Sequence, residues 1–288
     1  MRKLLLTDII ASISIGEEVF TTLRDIEPMY DTYGELMLSA GHDSVVFNVR
    51  HCGTRKALKC YYEPSELRGE RCEYASSECD NLLIHPRYFP GELWVNGTMT
   101  DVALYPWVEG RTLDWYIRRA LHQQSQEQLT TLLFNVIALC LRILKGEWRH
   151  GDFKSDNIIV TPSGEMVMVD CDALYAPTLP PSGECGTPLW THPTRRANYN
   201  SHIDDYSIAL MVVSLAALAA DRSFFIGECA VAMPSLGNRE RIATLLAKDK
   251  TLSTLHEALY SQTYIINNIE EHLECIAHRL QDSTKPLF

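Results

Sequence analysis

Residues 150–172 read HGDFKSDNIIVTPSGEMVMVDCD and decide the fold of this chain. Two short apolar runs, 158–160 and 166–169, flank a segment that contains Pro162 and Gly164, and both of these residue types favour turns. The pattern predicts a β-hairpin. In an antiparallel pair the residue before the first strand lies beside the residue after the second, so we expect Asn157 to lie close to Asp170.

The open end of this hairpin is predicted to collect charged and oxygen-bearing side chains. Asp152 and Lys154 lie immediately upstream of Asn157, and Asp170 follows the second strand. Mg²⁺ bound to a polyphosphate requires oxygen ligands of this kind, and a transferring phosphoryl group requires positive charge and an aligned acceptor hydroxyl. The stretch therefore indicates phosphoryl transfer.

Residues 150–157 resemble the catalytic loop of the eukaryotic-like protein kinase superfamily, and residues 170–172 resemble its Asp-Phe-Gly triplet. The resemblance implies that Asp152 orients and deprotonates the acceptor hydroxyl and that Lys154 neutralises charge on the phosphoryl group. It also implies that Asn157 and Asp170 hold Mg²⁺.

Two residues in these motifs depart from the superfamily pattern. Gly151 stands where an arginine is usual, so a phosphorylated activation loop would have no partner there, and we expect activity without that switch. Asp172 replaces the glycine of the triplet, which adds a negative charge and restricts the backbone.

Upstream, residues 39–47 resemble the glycine-rich loop of the superfamily, and residues 57–59 resemble the strand that carries the ATP lysine. Of the three loop glycines only Gly41 is present, with serine in the other two places, which predicts weaker ATP binding than in a typical kinase. The nucleotide contacts that the resemblance implies in this region are Gly41, Ser44, Val46, Ala57 and Lys59.

A charged segment, 64–83, resembles the small-lobe helix whose glutamate pairs with the ATP lysine. By its distance from Lys59, Glu78 is the expected partner, and Glu73 and Glu70 are the alternatives. A solvated helix face explains each of these glutamates equally well.

Residues 102–113 resemble the kinase hinge and the start of the next helix. Tyr105 would stand at the gatekeeper position and make the adenine pocket shallow, and the backbone up to Trp107 and Val108 would face the adenine. Without the neighbouring motifs, the same segment reads as a strand of an unrelated α+β fold.

Gly186 and Thr187 resemble the end of an activation segment, and we expect Thr187 to contact Asp152 and Lys154 as in Ser/Thr-type kinases. The Ala-Pro-Glu triplet that usually follows is replaced by His-Pro-Thr at 192–194. Asp204 resembles the aspartate that supports the backbone of the catalytic loop.

The resemblance implies an α+β, bilobal, protein kinase-like fold with a small β-rich lobe that contains one helix, and a larger helical lobe. The expected organisation is an N-terminal extension at 1–31, a small lobe at 32–104, a hinge at 105–112 and a short large lobe at 113–288. A chain of 288 residues with 46% hydrophobic and 22% charged residues can form such a unit.

Composition narrows the partners and the location. A net charge of −11 argues against nucleic acid or an anionic membrane as the main partner. The nine cysteines include no Cys-x-x-Cys pair, which favours reduced thiols in a cytoplasmic protein. The apolar run 208–220 is shorter than the roughly 20 residues that span a bilayer, and the N-terminus lacks a signal-peptide pattern. We therefore expect a buried helix there and no membrane partner.

The function that the resemblance implies is ATP- and Mg²⁺-dependent transfer of the γ-phosphoryl group to a Ser or Thr hydroxyl of a protein substrate. A pseudokinase or nucleotide-binding scaffold is one alternative, because of the altered glycine loop, the missing triplet and Asp172. A small-molecule phosphotransferase of the aminoglycoside or choline type is another, because His-Gly-Asp without arginine is common there. Lys154, two residues after the aspartate, favours a protein kinase.

Overall fold

Alternation of apolar and polar residues builds the antiparallel sheet of the first unit. In the strand 44–51, Val45, Phe47 and Val49 are completely buried and their neighbours are more exposed. The computed structural model describes residues 4–195, 199–224 and 236–282, so Cys229 lies outside the described residues. The chain divides into two compact units, Met1–Val108 and Glu109–Phe288, and the division falls inside the segment 105–112.

The first unit contains a six-stranded antiparallel sheet in the order β1-β3-β4-β6-β5, with β2 paired to β3. The strands are β1 Ile26–Pro28, β2 Leu38–Ala40, β3 Ser44–His51, β4 Thr54–Tyr61, β5 Arg87–Val95 and β6 Thr98–Pro106. Two helices belong to the same unit, α1 Leu6–Ile15 and α2 Glu66–Ser77. Within residues 32–104, all of which the structure describes, α2 is the one α-helix, as the sequence predicts for the small lobe, and α1 lies in the segment before it.

Helix α1 and strand β1, which lie inside the predicted N-terminal extension at 1–31, pack against the sheet of the first unit. The division of the chain at residue 31 stays a prediction. Ile9 and Ile13, one turn apart on α1, are completely buried in the same hydrophobic cluster as Phe47 and Leu58 of the sheet. β1 pairs with β3, so this segment also supplies an edge strand. The apolar face of α1 has to be buried, and the sheet provides the surface that buries it.

The second unit joins a small sheet to a set of helices. Its sheet has the order β7-β8-β9, with β7 Arg111–Thr112, β8 Ile158–Val160 and β9 Met166–Met168. Its helices in the described residues are α3 Leu113–His122, α4 Gln126–Lys145, α5 Asp205–Ala220, α6 Leu236–Leu246, α7 Lys250–Ala258 and α8 Ile269–Gln281. Together with the first unit they form a mixed α+β structure, which is compatible with the fold class that the sequence predicts.

Helix α5 is the buried centre of the second unit. Every residue from Ser207 to Ala219 is buried, which confirms that the apolar run 208–220 forms a buried helix. Of the described residues, only helix α4 is long and apolar enough to cross a membrane by length and composition. Eight of its side chains are buried, and a core helix passes the same test.

Candidate functional site

The predicted hairpin is present, and its register determines where the site residues lie. Ile158 pairs with Met168, and the turn closes with the Thr161 amide donating to the Glu165 carbonyl at 2.9 Å. The amide of Val169 donates to the carbonyl of Asn157 at 2.9 Å. Asn157 therefore lies opposite Val169. Because β9 ends at Met168, one residue before its predicted end, Asp170 lies one residue beyond the position opposite Asn157.

Asp204 anchors the backbone of the loop that precedes the hairpin. This carboxylate is fully buried at the start of α5, and it accepts hydrogen bonds from the amides of His150 at 2.6 Å and Gly151 at 2.9 Å. The expected supporting contact of Asp204 is confirmed. Hydrogen bonds to an ionised acceptor are stronger than neutral ones, so this carboxylate holds the loop firmly.

Gly151 is required by backbone geometry. Its φ is +80°, and a Cβ at this position would lie 2.0 Å from the carbonyl oxygen of Ala173. Arg149 and Tyr175 exchange backbone hydrogen bonds at 2.9 Å beside it. The loop is therefore joined directly to the segment after the 170–172 triplet, and the space that an arginine side chain would need at position 151 is taken by backbone.

His150 has one neutral tautomer that satisfies both ring nitrogens. Its side chain is nearly inaccessible, and Nε2 lies 2.9 Å from the carbonyl oxygen of Val169. A carbonyl only accepts, so Nε2 carries the proton and Nδ1 accepts from the Asp152 amide at 3.3 Å. His150 thereby links the loop to the end of the hairpin and fixes the backbone of Asp152.

The three predicted catalytic residues meet around the carboxylate of Asp152. Lys154 Nζ donates to Asp152 Oδ2 and to Thr187 Oγ1, each at 2.7 Å. The amide of Thr187 donates to Asp152 Oδ1 at 2.7 Å, so the expected contacts of Thr187 are present. Asn157 Nδ2 donates to the carbonyl of Asp152 at 2.9 Å and to Oδ2 at 3.1 Å.

The environment keeps Asp152 ionised at neutral pH. Burial alone would raise its pKa, but the charge and hydrogen bond of Lys154, with a smaller contribution from a hydrogen bond of Thr187, hold the pKa below its usual range. A carboxylate with a low pKa is a weak proton acceptor. This geometry suits the orientation of a hydroxyl group better than early removal of its proton.

Asn157 and Asp170 offer oxygen atoms that suit a hard divalent cation. Both hydrogen bonds of Asn157 Nδ2 go to Asp152, so Asn157 Oδ1 is the atom that could coordinate a metal. Asp170 has a left-handed φ of +74°, and its Oδ1 accepts from the Asp172 amide at 3.2 Å. Strained backbone of this kind is concentrated at functional sites.

These oxygen donors fit Mg²⁺ in combination with a phosphate ligand. No group of three or more His, Cys, Asp or Glu side chains that could hold a metal occurs in residues 4–195, 199–224 and 236–282. Mg²⁺ commonly uses one or two protein ligands and completes its shell with water and phosphate oxygens. A divalent ion at Asn157 and Asp170 would therefore depend on a bound polyphosphate.

The predicted nucleotide-contact residues of the first unit lie on adjacent strands. Val46 on β3 is paired with Lys59 on β4, and Ala57 on β4 is paired with Tyr105 on β6. Lys59 is 5% exposed, and its Nζ lies 5.4 Å from the ring centroid of Tyr61.

The turn before these strands and the segment after them contain the other predicted contacts. Gly41 and Ser44 close the turn between β2 and β3, with the Gly41 amide donating to the Ser44 carbonyl at 2.8 Å. Trp107 follows β6 and is partly buried beneath the Arg55 guanidinium, with 3.6 Å between the guanidinium carbon and the ring centroid. Val108 is the last residue of the unit and is partly exposed.

Helix α2 differs from the expected small-lobe helix in the side chain that it buries. Glu78 caps its C-terminal end and is exposed, as are Glu70 and Glu73, whereas Arg71 is 1% exposed. The side of the helix that faces the protein interior contains Arg71, Cys72 and Ala75 and none of its glutamates. The pairing of Glu78 with Lys59 stays a prediction, and the burial pattern of α2 does not favour it.

Arg149 is a site-forming residue that sequence reasoning missed. Its guanidinium is buried and donates to carbonyl groups at the end of α4 and in the segment before α5, which belong to Ile143, Leu144, Gly146, Trp148 and Ser201. The arginine satisfies helix-terminal carbonyls and fixes the start of the loop at 150–157. An arginine just after an apolar helix that ends at glycine is the signal that could have identified it.

Comparison with known proteins gives one distant similarity. No family model matches the sequence. The chain is similar to the serine/threonine-protein kinase STE20 of Debaryomyces hansenii, with 24% identity over 161 residues. The aligned part covers 52% of this chain and 13% of the yeast protein, so the chain spans only a small fraction of that relative. At this identity and coverage the similarity hints at kinase-like relatedness over about half of this chain and does not show the family.

Proposed function

We propose that this chain is a phosphotransferase of the Ser/Thr protein kinase type, which transfers the γ-phosphoryl group of ATP to a protein hydroxyl. The observation that carries the proposal is the cluster in which Lys154 bridges Asp152 Oδ2 and Thr187 Oγ1 while Asn157 donates to Asp152. A carboxylate, an ammonium and an amide of this kind are the protein groups that phosphoryl transfer uses. The distant similarity to a serine/threonine-protein kinase supports the same chemistry.

In the proposed reaction the acceptor hydroxyl donates a hydrogen bond to Asp152 and is aligned with the γ-phosphorus. A new O–P bond forms while the bond from the γ-phosphorus to the bridging oxygen of ADP breaks, and ADP leaves with the bonding electrons. The hydroxyl proton passes to Asp152 late in the reaction, because the low pKa of this carboxylate disfavours an earlier transfer. Lys154 offsets negative charge on the transferring phosphoryl group.

The proposed cofactor, Mg²⁺, would be held by Asn157 Oδ1 and Asp170 together with phosphate oxygens, and would neutralise charge on the polyphosphate when bound. The resemblance assigns Lys59 to the nucleotide phosphates, and we include this role in the proposal. Lys59 lies on β4, paired with Val46 of β3. The acceptor is proposed to be a Ser or Thr hydroxyl of a protein substrate. The nine cysteines of the sequence include no Cys-x-x-Cys pair, which supports the proposal of a cytoplasmic location.

A nucleotide-binding scaffold without transfer activity is the second candidate, and helix α2 favours it. Glu70, Glu73 and Glu78, the candidates for the ion pair with Lys59, are exposed, while Arg71 of the same helix is buried. In active protein kinases this ion pair must be in place.

Two measurements on matched variants separate these candidates. Calorimetric titration of ATP, with Mg²⁺ and again with EDTA, reports nucleotide binding, and transfer of labelled phosphate to a Ser/Thr peptide library reports catalysis. Asp152→Asn is expected to keep Mg²⁺-dependent binding and to lose at least about 100-fold in transfer. Asp170→Ala is expected to lose the Mg²⁺-dependent part of binding.

Glu165→Gln is the control, because it makes the same carboxylate-to-amide change at the exposed turn of the hairpin. Binding without transfer in the unmodified protein would select the scaffold. Transfer to amino alcohols or aminoglycosides but to no peptide would select a small-molecule phosphotransferase. Equal loss of binding in Asp152→Asn and Asp170→Ala would contradict the proposed roles.

A further inference from the structure

Helix α3 presents a basic and aromatic stripe on its outer face. Trp115, Arg118, Arg119 and His122 follow the i, i+3, i+4, i+7 spacing that places side chains on one side of a helix. Its buried residues, on the opposite side, are Leu113, Ile117 and Ala120. The stripe is therefore exposed because the other face of α3 packs into the second unit.

The stripe forms one wall of a cavity of about 580 Å³, which Leu121 and Arg222 complete. This volume lies within the range of about 300–1,000 Å³ that ligand sites occupy. The cavity lies entirely within the second unit and includes none of the residues of the proposed phosphoryl-transfer site.

Arg222 comes from a different element and is held in place. It belongs to the short turn after α5, and its guanidinium donates to the carbonyl of Gln124, just beyond the end of α3. Within the same turn, Asp221 Oδ1 accepts from the amide of Ser223 at 2.9 Å and from its hydroxyl at 2.6 Å. Arg241 donates to Asp221 Oδ2 at 2.5 Å, so the turn is fixed from a second helix.

The local charge is opposite to that of the whole protein. Three arginines and one histidine line the cavity of a chain with a net charge of −11. Arg118 forms an ion pair with Asp114, at a distance of 2.7 Å. Arg119 is exposed, and its guanidinium lies 5.2 Å from the centroid of the Trp115 ring.

The end of a helix explains only part of this arrangement. Cations in the last turn of α3 are favoured by the helix dipole, and Arg119 and His122 lie in that turn. The dipole of α3 does not account for Arg222, which reaches the same cavity from another element, or for Trp115, a large aromatic side chain that is 40% exposed. Arginine and tryptophan together are typical of binding hot spots.

We propose that this cavity docks an acidic peptide segment of a partner protein. Its carboxylates would pair with Arg119 and Arg222, since guanidinium groups bind carboxylates in a bidentate manner, and an apolar side chain would cover Trp115. From Trp115 to His122 the stripe spans about 10 Å along the helix axis, which is the length of about three residues of extended peptide. The docking site goes beyond the proposed transferase function and does not depend on it.

The test measures peptide binding to the full-length protein by fluorescence anisotropy. The probe is a labelled 12-residue peptide with alternating Asp and Glu around a central Leu, and a peptide with Lys in place of every acidic residue is the negative probe. Binding of the acidic probe is expected to weaken at least about tenfold in Arg119→Glu, since one reversed contact removes an ion pair and adds repulsion. Arg142→Glu, the same change at an exposed arginine on α4, is the control and should bind as the unmodified protein does.

Each outcome supports the proposal or overturns it. Weaker binding in Arg119→Glu and in Trp115→Ala, with unchanged thermal melting and normal binding in Arg142→Glu, supports it. Equal weakening in Arg142→Glu would reveal non-specific attraction, and no saturable binding below about 1 mM would overturn the site. Tighter binding of a phosphoserine peptide than of the acidic probe would replace the proposed occupant. Dimers that dissociate in Arg119→Glu on sedimentation would assign the surface to a second copy of the chain.

Discussion

Replacement of Gly151 by alanine is expected to destabilise the second unit strongly. The native φ of +80° is strained for any residue with a Cβ, and this alone costs about 1–2 kcal/mol. The added carbon would lie 2.0 Å from the carbonyl oxygen of Ala173, so the loop or the segment that it contacts has to move. Movement of the loop weakens the two amide hydrogen bonds to Asp204, each worth about 1.5–3 kcal/mol because the acceptor is charged. We therefore expect a total loss of about 3–5 kcal/mol.

Gly164→Ala isolates the contribution of the backbone conformation. Gly164 has a similar φ of +86°, but nothing lies within 4 Å of a Cβ added there. Only the cost of the left-handed conformation applies at this turn, about 1–2 kcal/mol. The difference between the two variants therefore measures the close contact of Gly151 with Ala173.

The assay is urea denaturation of both variants and the unmodified protein, followed by tryptophan fluorescence, with free energies of unfolding compared at equal denaturant slopes. Gly151→Ala should be less stable than Gly164→Ala by at least about 2 kcal/mol. Gly151→Arg, which introduces the residue usual in the protein kinase superfamily, should be no more stable than Gly151→Ala. A Gly151→Ala variant within about 0.5 kcal/mol of Gly164→Ala would refute the steric role of this position.

Three further predictions concern the neighbouring carboxylates and Thr187. Asp204→Ala should lower the free energy of unfolding in urea by about 3–5 kcal/mol, because two buried backbone donors lose a charged acceptor. Thr187→Val should reduce peptide phosphorylation about tenfold with stability unchanged, because Lys154 loses one acceptor while the backbone bond to Asp152 remains; an unchanged rate would contradict this. Burial, opposed in part by the hydrogen bond from the Ile266 amide and by His202, raises the pKa of Asp205 to about 6, so folding favours its protonated form. The free energy of unfolding should therefore fall as pH rises from about 4 to 7. Across that window the free energy of unfolding of Asp205→Asn should increase relative to that of the unmodified protein by on the order of 3 kcal/mol; a pH-independent difference would contradict this.

Local patterns in the sequence predicted the elements on which the site is built. The hairpin follows from two apolar runs around a Pro- and Gly-containing turn, and helix α5 follows from an unbroken apolar run. The contacts of Thr187 and Asp204 were anticipated from the kinase-like motifs, and both are present. Such features are predictable because the residues that specify them are close in the chain, or are placed by a motif.

Features that depend on packing between distant segments were not predicted. Ile9 and Ile13 are four residues apart, a spacing that puts both side chains on one face of a helix. The spacing does not specify which surface buries that face, and the structure shows that it is the sheet of the first unit. On the charged helix 66–77 and its cap, Glu78 was the expected inward-facing glutamate, with Glu73 and Glu70 as alternatives, but all three are exposed and the helix buries Arg71. In a segment with weak amphipathic character, the contacts of the folded protein decide which face is inside.

The sequence by itself determined the chemistry available to this protein: a carboxylate, a lysine and an amide around one hairpin, in an order that resembles a kinase catalytic loop. The tertiary structure alone decided how Gly151 and Arg149 hold that loop, and that Arg222 joins the stripe on α3. The physical reason is that residue types and short spacings specify local geometry, whereas contacts between segments far apart in the chain exist only once the core has packed and buried the helix faces around it.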